Sequence, residues 1–192
     1  MKIVEYIKSR ISNCKTLTEP EIYGNVDLEK THESYIHDNE TVAEIITVKH
    51  FQCRGPLLKD SLYVEFLTNF KGRDSAEITD EEIRKTEYCR DALQCLSTIG
   101  HFRENKTESE IIAQCRYFLE LYQAIKRNTY FTDQDKFVGV GINHSVEPHA
   151  KVIKISDPEY YLIYDGHHRL ACQYVAGQRY VKARIIGKET AK

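Results

Sequence analysis

Tyr160-Tyr-Leu-Ile-Tyr-Asp-Gly-His-His-Arg-Leu170 is the stretch whose reading decides the fold. Residues 160 to 164 form an unbroken aromatic and aliphatic run, the signature of a buried strand. Asp165 and Gly166 then interrupt it, and Leu170, Tyr174 and Val175 follow at the spacing of one helical face. Gly177 stands where a left-handed C-terminal cap belongs. Tyr180 to Ile186 reads as a further strand, and Lys151-Val-Ile-Lys-Ile155 as one that precedes the stretch. The C-terminal part therefore reads as strands around a single helix.

The turn itself carries the chemistry. His167, His168 and Arg169 put three potentially cationic side chains into the first helical turn. The macrodipole is positive at that end, so each like charge costs a few tenths to about 1 kcal/mol. An anion resolves the conflict. Free first-turn N–H groups, close backbone approach at Gly166 and the forked guanidinium of Arg169 together make a phosphate cradle. Asp165 either caps the helix by accepting from the His168 N–H, or projects toward a metal or a hydroxyl as ligand or base. The plainer alternative is a capped strand-to-helix turn with two surface histidines; the His-His-Arg triple favours the anion site.

Working back along the chain, Thr107-Glu-Ser-Glu110 has capping-box spacing. It opens a helix whose buried face is Ile111, Ile112, Cys115, Phe118, Leu119 and Tyr122 and which ends near Arg127. Thr79-Asp-Glu-Glu82 is a second box, and it predicts a helix closing at Gly100, so that the two helices make a hairpin. Further upstream the signals weaken. Ser61 to Leu67 reads as strand or helix, Arg54-Gly-Pro56 as a turn and Glu44-Ile-Ile-Thr-Val48 as a strand. Ile3, Ile7 and Ile11 suggest a short amphipathic helix.

With 192 residues, 41% of them hydrophobic, the chain can bury a real core, which excludes disordered and fibrous classes. No apolar run approaches the roughly 18 residues of a membrane span, and charges interrupt residues 1 to 10 where a signal peptide has its apolar centre. These features predict a cytoplasmic protein with no membrane partner. The six cysteines, at 14, 53, 89, 95, 115 and 172, include no Cys-x-x-Cys pair and read as reduced thiols. His32, His37, His50 and Cys53 only loosely approximate a zinc pattern. Residues 126–192 hold 11 Lys or Arg against 7 Asp or Glu, whereas residues 1–125 hold 16 against 22. That imbalance suits an anionic small molecule at the C-terminal part and is too weak for a nucleic-acid surface.

Tyr161-Leu-Ile-Tyr-Asp-Gly-His-His-Arg-Leu-Ala171, with Gly177 and the strand Tyr180 to Ile186, resembles the ParB/sulfiredoxin-like superfamily over roughly residues 138 to 188. The resemblance implies an α+β protein in which residues 1–128 form an N-terminal segment and helical hairpin and residues 129–192 a nucleotide-binding unit. Sulfiredoxins carry a reactive cysteine directly after the glycine; here that position is His167, so sulfinic-acid reduction is not expected. Partition proteins bind CTP through two arginines at the end of the motif and continue into a DNA reader. Here the first arginine is replaced by His168, which speaks against a partition or DNA-associated role. Free serine kinases carry Asp-Gly-x-His-Arg, matched by Asp165, Gly166, His168 and Arg169.

That likeness implies a kinase using ATP and Mg2+ to phosphorylate a small-molecule alcohol, with Gly166, His168 and Arg169 at the nucleotide phosphates. Asp165 and His167 would be catalytic, Asp165 facing the hydroxyl or the magnesium. Such kinases also use an upstream glutamate as base, for which Glu33, Glu44, Glu65 and Glu147 are candidates. Thr86-Glu-Tyr-Cys-Arg90, Ile99-Gly-His-Phe102 and Gln114-Cys-Arg-Tyr-Phe118 are similar to a helical region of proteins encoded near surface-polysaccharide genes, which would make the acceptor sugar-linked. The rival expectation is a regulatory module that binds a nucleotide without turnover. His101 and Arg103 sit after a predicted helix end; the dipole alone favours such a histidine, or the loop reaches the phosphate site. Asn143, His144 and His149 are candidates for the pocket mouth on the same terms.

Overall fold

The computed structural model describes residues 22–35, 54–127, 149–156 and 159–188. Its strands are β1 (Ile22–Asp27), β2 (Thr31–Ser34), β3 (Arg54–Leu57), β4 (Lys151–Ser156), β5 (Glu159–Asp165) and β6 (Tyr180–Lys188). Its helices are α1 (Leu62–Asn69), α2 (Asp80–Arg84), α3 (Glu87–Ile99), α4 (Glu108–Lys126) and α5 (His167–Val175). The strands form one mixed sheet in the order β1-β6-β4-β5-β2-β3. Pairing is parallel between β2 and β5 and between β4 and β6, and antiparallel elsewhere. The sheet therefore draws strands from both sides of residue 128.

Alternation along β4 and β5 gives the sheet two apolar faces. Val152, Tyr161 and Ile163 join the helical core, while Ile153, Ile155, Tyr160 and Leu162 form a separate buried cluster. Helix α5 lies on the first face, against α1 and α4, and for that reason nearly every residue from Arg169 to Val175 is buried. Its outer neighbours supply an aromatic layer in which Phe66 stacks on Phe118 with ring centroids 5.3 Å apart, flanked by Tyr63 and Tyr88.

Both capping boxes form, with Thr79 and Thr107 each bonded reciprocally to a glutamate three residues on. The first helix does not run unbroken to Gly100. It stops after Arg84 and restarts at Glu87, because Thr86 takes an extended conformation and caps the new helix by accepting from the Cys89 N–H. Gly100, at φ +83°, closes it as expected. Ser61 to Leu67 resolves as helix, opened by the Ser61 hydroxyl accepting from the Val64 N–H. Arg54-Gly-Pro56 is corrected from turn to edge strand, the one place in a sheet where a proline's missing N–H is tolerated. Gly55 is needed there, since a Cβ would lie 3.0 Å from the Glu33 Cβ and carbonyl oxygen. The expected elements at Ile3 to Ile11 and Glu44 to Val48 lie outside the described residues.

Candidate functional site

Strand β5 ends at Asp165, and Gly166 turns the chain into α5 at φ +93°. A Cβ on Gly166 would come within 2.8 Å of the Ala150 Cβ and 3.0 Å of both the Ala150 Cα and the Arg169 Nη2. The turn is thus pressed against the segment entering β4, which only glycine permits. No side chain caps the helix. Of the two roles open to Asp165, capping is not the one adopted: its Oδ2 accepts from the Arg169 Nη2 at 3.3 Å instead. Arg169 is 7% exposed and also donates through Nη1 to the His149 carbonyl at 3.3 Å. Its guanidinium ties the turn to the β4 entrance.

The two histidines diverge from this point. His168 is turned into the aromatic layer: its Nε2 lies 3.1 Å from the Tyr88 hydroxyl, and its ring centroid is 4.5 Å from that of Phe118. Burial, reinforced by the Arg103 guanidinium, pushes it down to about 3. The ring is neutral at neutral pH, and Tyr88 holds one of its nitrogens. His167 instead meets Glu33, with Nε2 to Oε2 at 3.2 Å. Burial pushes His167 down to about 4, helped by Arg103 and opposed by Asp165. The picture of three cations in the first turn is corrected accordingly: desolvation keeps both imidazoles uncharged.

Glu33 reaches the turn because β2 runs parallel to β5, with Thr31 opposite Tyr161 and His32 opposite Leu162. The Ser34 hydroxyl donates to the Ile163 carbonyl just beyond, holding the strand end at the level of the turn. Of the four glutamates considered, the structure describes Glu33 and Glu65, and Glu33 lies beside His167. Glu65 lies on α1, where its Oε1 accepts from Asn69 at 2.6 Å, and Glu44 and Glu147 lie outside the described residues. Glu33 is 8% exposed, and its Oε1 is buried with no hydrogen-bond partner among the described residues. Burial pushes its carboxyl up to about 7, against the opposing pull of Arg103. Burial thus disfavours the charged form of both partners, so the carboxyl gives up its proton near neutrality rather than in the usual carboxylate range.

The loop after α3 completes the site. Phe102 and Asn105 bond each other's backbones in a tight turn, in which Arg103 has φ +54°. Arg103 donates to the Tyr63 hydroxyl, and its Cζ lies 5.5 Å from the Tyr63 ring centroid. The Tyr63 ring is in turn 5.7 Å from His167 and 5.1 Å from His168. His101 stays at the exposed rim, with Nδ1 3.2 Å from the Arg103 carbonyl. His149 is buried beneath the turn, its ring 5.2 Å from Tyr23. Asn143, His144, His37, His50 and Cys53 lie outside the described residues, while His32 has its Nδ1 3.0 Å from the Gly55 carbonyl.

The spacing of the motif pointed to residues 165 to 169, whereas Tyr63 carried no sequence signal and Tyr88 only its place in the segment Thr86 to Arg90 that resembles a helical region. Among the described residues no group of three or more acidic, histidine or cysteine side chains could enclose a metal ion, and no helix is long and apolar enough to cross a membrane. A cleft of about 290 Å³ opens at the other end of α5, between Thr68, Lys71, Tyr174 and Arg179. It does not touch the turn.

Searches against family models, curated proteins and solved structures find no match to this chain.

Proposed function

We propose that the chain is a nucleotide-dependent phosphotransferase whose acceptor is the hydroxyl of a small molecule. The observation that carries the reading is Glu33: a buried carboxyl, ionising near neutrality, with one oxygen on His167 and the other without a partner, beside an uncapped helix N-terminus. A general base is most effective when its pKa lies near the working pH. The unpartnered Oε1 is free to accept the proton of an alcohol. As that O–H breaks, the alcohol oxygen bonds to the terminal phosphorus of the nucleotide, and the bond from that phosphorus to the nucleoside diphosphate breaks. His167 orients the carboxyl and shares its proton.

The rest of the turn fits ATP as donor. First-turn N–H groups lacking a side-chain cap suit phosphate oxygens, and Gly166 brings the backbone close. Asp165 is more than half exposed, and among the described residues its Oδ1 makes no hydrogen bond. That suits a magnesium ion, which binds through one or two carboxylates plus phosphates and would neutralise charge on the donor. Arg169 and His168 support the turn from behind. The likeness of Asp165-Gly166-x-His168-Arg169 to the free serine kinases points the same way.

The test measures ATP consumption with a panel of hydroxy amino acids and sugar alcohols, for the wild type and Glu33→Gln. General-base removal lowers turnover about 10²–10⁴-fold, and the wild-type rate should rise with pH through about 7, where the carboxyl deprotonates. Unchanged turnover in Glu33→Gln overturns the assignment. Nucleotide binding without turnover in the wild type favours the regulatory module instead.

A further inference from the structure

Phosphoryl transfer places negative charge on the oxygens of the moving group, and positive groups positioned around it supply most of the catalysis. The turn does not provide that charge by itself. His168 is turned onto the Tyr88 hydroxyl and His167 onto Glu33, and the Arg169 guanidinium is buried between Asp165 and the His149 carbonyl. We infer that Arg103, carried in from the loop of the helical hairpin, is the cation that contacts the phosphoryl group in transfer; this rests on the phosphotransferase reading and adds the residue that reading lacks.

Three observations carry the inference. The first is charge. Among the described residues no carboxylate lies within ion-pair distance of Arg103; it donates to a neutral tyrosine hydroxyl and lies over the rings of Tyr63 and Phe102, at 5.5 and 5.6 Å. A guanidinium held by aromatic faces and a neutral hydroxyl keeps most of its donors for a ligand. The second is place. Tyr63, which holds Arg103, also packs against His167, whose Nε2 meets Glu33. Base and cation therefore border the same mouth, where the Glu33 Oε1 is buried with no hydrogen-bond partner among the described residues. The third is strain. Arg103 is the one non-glycine with positive φ among the described residues, at the first central position of a tight turn where glycine is favoured. A large cation kept in such a conformation signals a use that outweighs its cost.

Calorimetric titration of the full chain with inorganic pyrophosphate, together with ATP turnover on the alcohol panel, tests this on Arg103→Gln, Arg103→Gly and Arg103→Lys. Lys71→Ala, in the distant cleft, controls for the loss of one positive charge. Melting temperatures close to wild type establish that each variant is folded, and the glycine variant relieves the strained φ. Pyrophosphate affinity should fall at least tenfold in the Gln and Gly variants, less in Lys and not in Lys71→Ala, and kcat/KM for ATP should fall about 10³-fold. Pyrophosphate affinity within twofold of wild type in both variants, or no binding to the wild type at millimolar concentration, overturns the inference. If Glu33→Gln abolishes turnover while the Arg103 variants retain it, Arg103 loses this role and the phosphotransferase stands. If pyrophosphate binds through Arg103 but wild type turns over no nucleotide, the anion contact stands and the phosphotransferase falls.

Discussion

His167 and His168 are chain neighbours on one helical turn, yet they belong to two unlike regions. His168 sits in a closed aromatic nest, with its Nε2 on the Tyr88 hydroxyl and its ring against Phe118. His167 opens on a polar mouth where, among the described residues, the Glu33 Oε1 has no hydrogen-bond partner, Arg103 lies within reach of the Glu33 charge without an ion pair to it, and one backbone angle is strained. Buried polar groups in native folds are ordinarily satisfied. A nest that obeys the rule, beside a mouth that breaks it at the Glu33 Oε1, separates polar groups satisfied within the fold from one that is not. It also divides the Asp-Gly-His-His-Arg motif: His168 and Arg169 face inward and stabilise, while His167 and Asp165 face the mouth.

The sharpest way to break that division is at its hinge. Gly166→Ala forces a Cβ against Ala150 in a left-handed conformation, and should lower stability by about 3 kcal/mol, read from urea unfolding. A neutral effect would mean that the turn is not pressed against β4 and that nest and mouth are not held in register.

Glu33→Gln should show the opposite sign. The folded protein raises this carboxyl from 4.5 to about 7, so its contribution is fully present below pH 4.5 and lost as pH rises through 7. At pH 8 the buried charge costs stability, and the neutral isostere should be about 2 kcal/mol more stable than wild type, with the gain vanishing near pH 4. A destabilised variant at pH 8 would place Glu33 with the satisfied groups. The histidines act in the other direction: pushed below their ordinary 6.5, they contribute stability that is lost as pH falls from 6.5 through about 4 for His167 and about 3 for His168.

The smallest effect belongs to the nest. Tyr88→Phe strands the His168 nitrogen and should cost about 1 kcal/mol, whereas Tyr88→Phe combined with His168→Phe removes both partners and should nearly restore the loss. If the folded double variant binds ATP as wild type does, by thermal shift, His168 is structural. If it has lost nucleotide binding, the histidine reaches the ligand and the division between the two residues fails.

Local signals made much of the architecture legible. Capping boxes at Thr79 and Thr107, the apolar runs of β4 and β5 and the glycine after α5 each act within a few residues, and each appears in the structure. Thr86 hid a helix break because its cap lacks the glutamate that completes a box. Pro56 suggested a turn because edge position is a property of the sheet and not of the tripeptide. At the site, the turn from Asp165 to Arg169 was legible for the same local reason. That Glu33 rather than Glu65 lies beside the turn was not, since it follows from the parallel pairing of β2 with β5. The charge state of the histidines escaped for a related cause: desolvation comes from Tyr63, Tyr88 and Phe118, which lie far away in sequence.

That parallel pairing has a consequence for how the molecule comes into being. Ser34 and Ile163, which lock β2 beside β5, are 129 residues apart in the chain. Contacts of such separation form slowly, because a long loop must close before anything is gained by closing it. During synthesis Glu33 emerges early and stays in water, titrating as any glutamate does, until β5 has been made and the strands meet. Its carboxyl is thus a built-in clock of sheet closure. An infrared or NMR signal from that one group during refolding would time the moment at which β2 and β5 first meet.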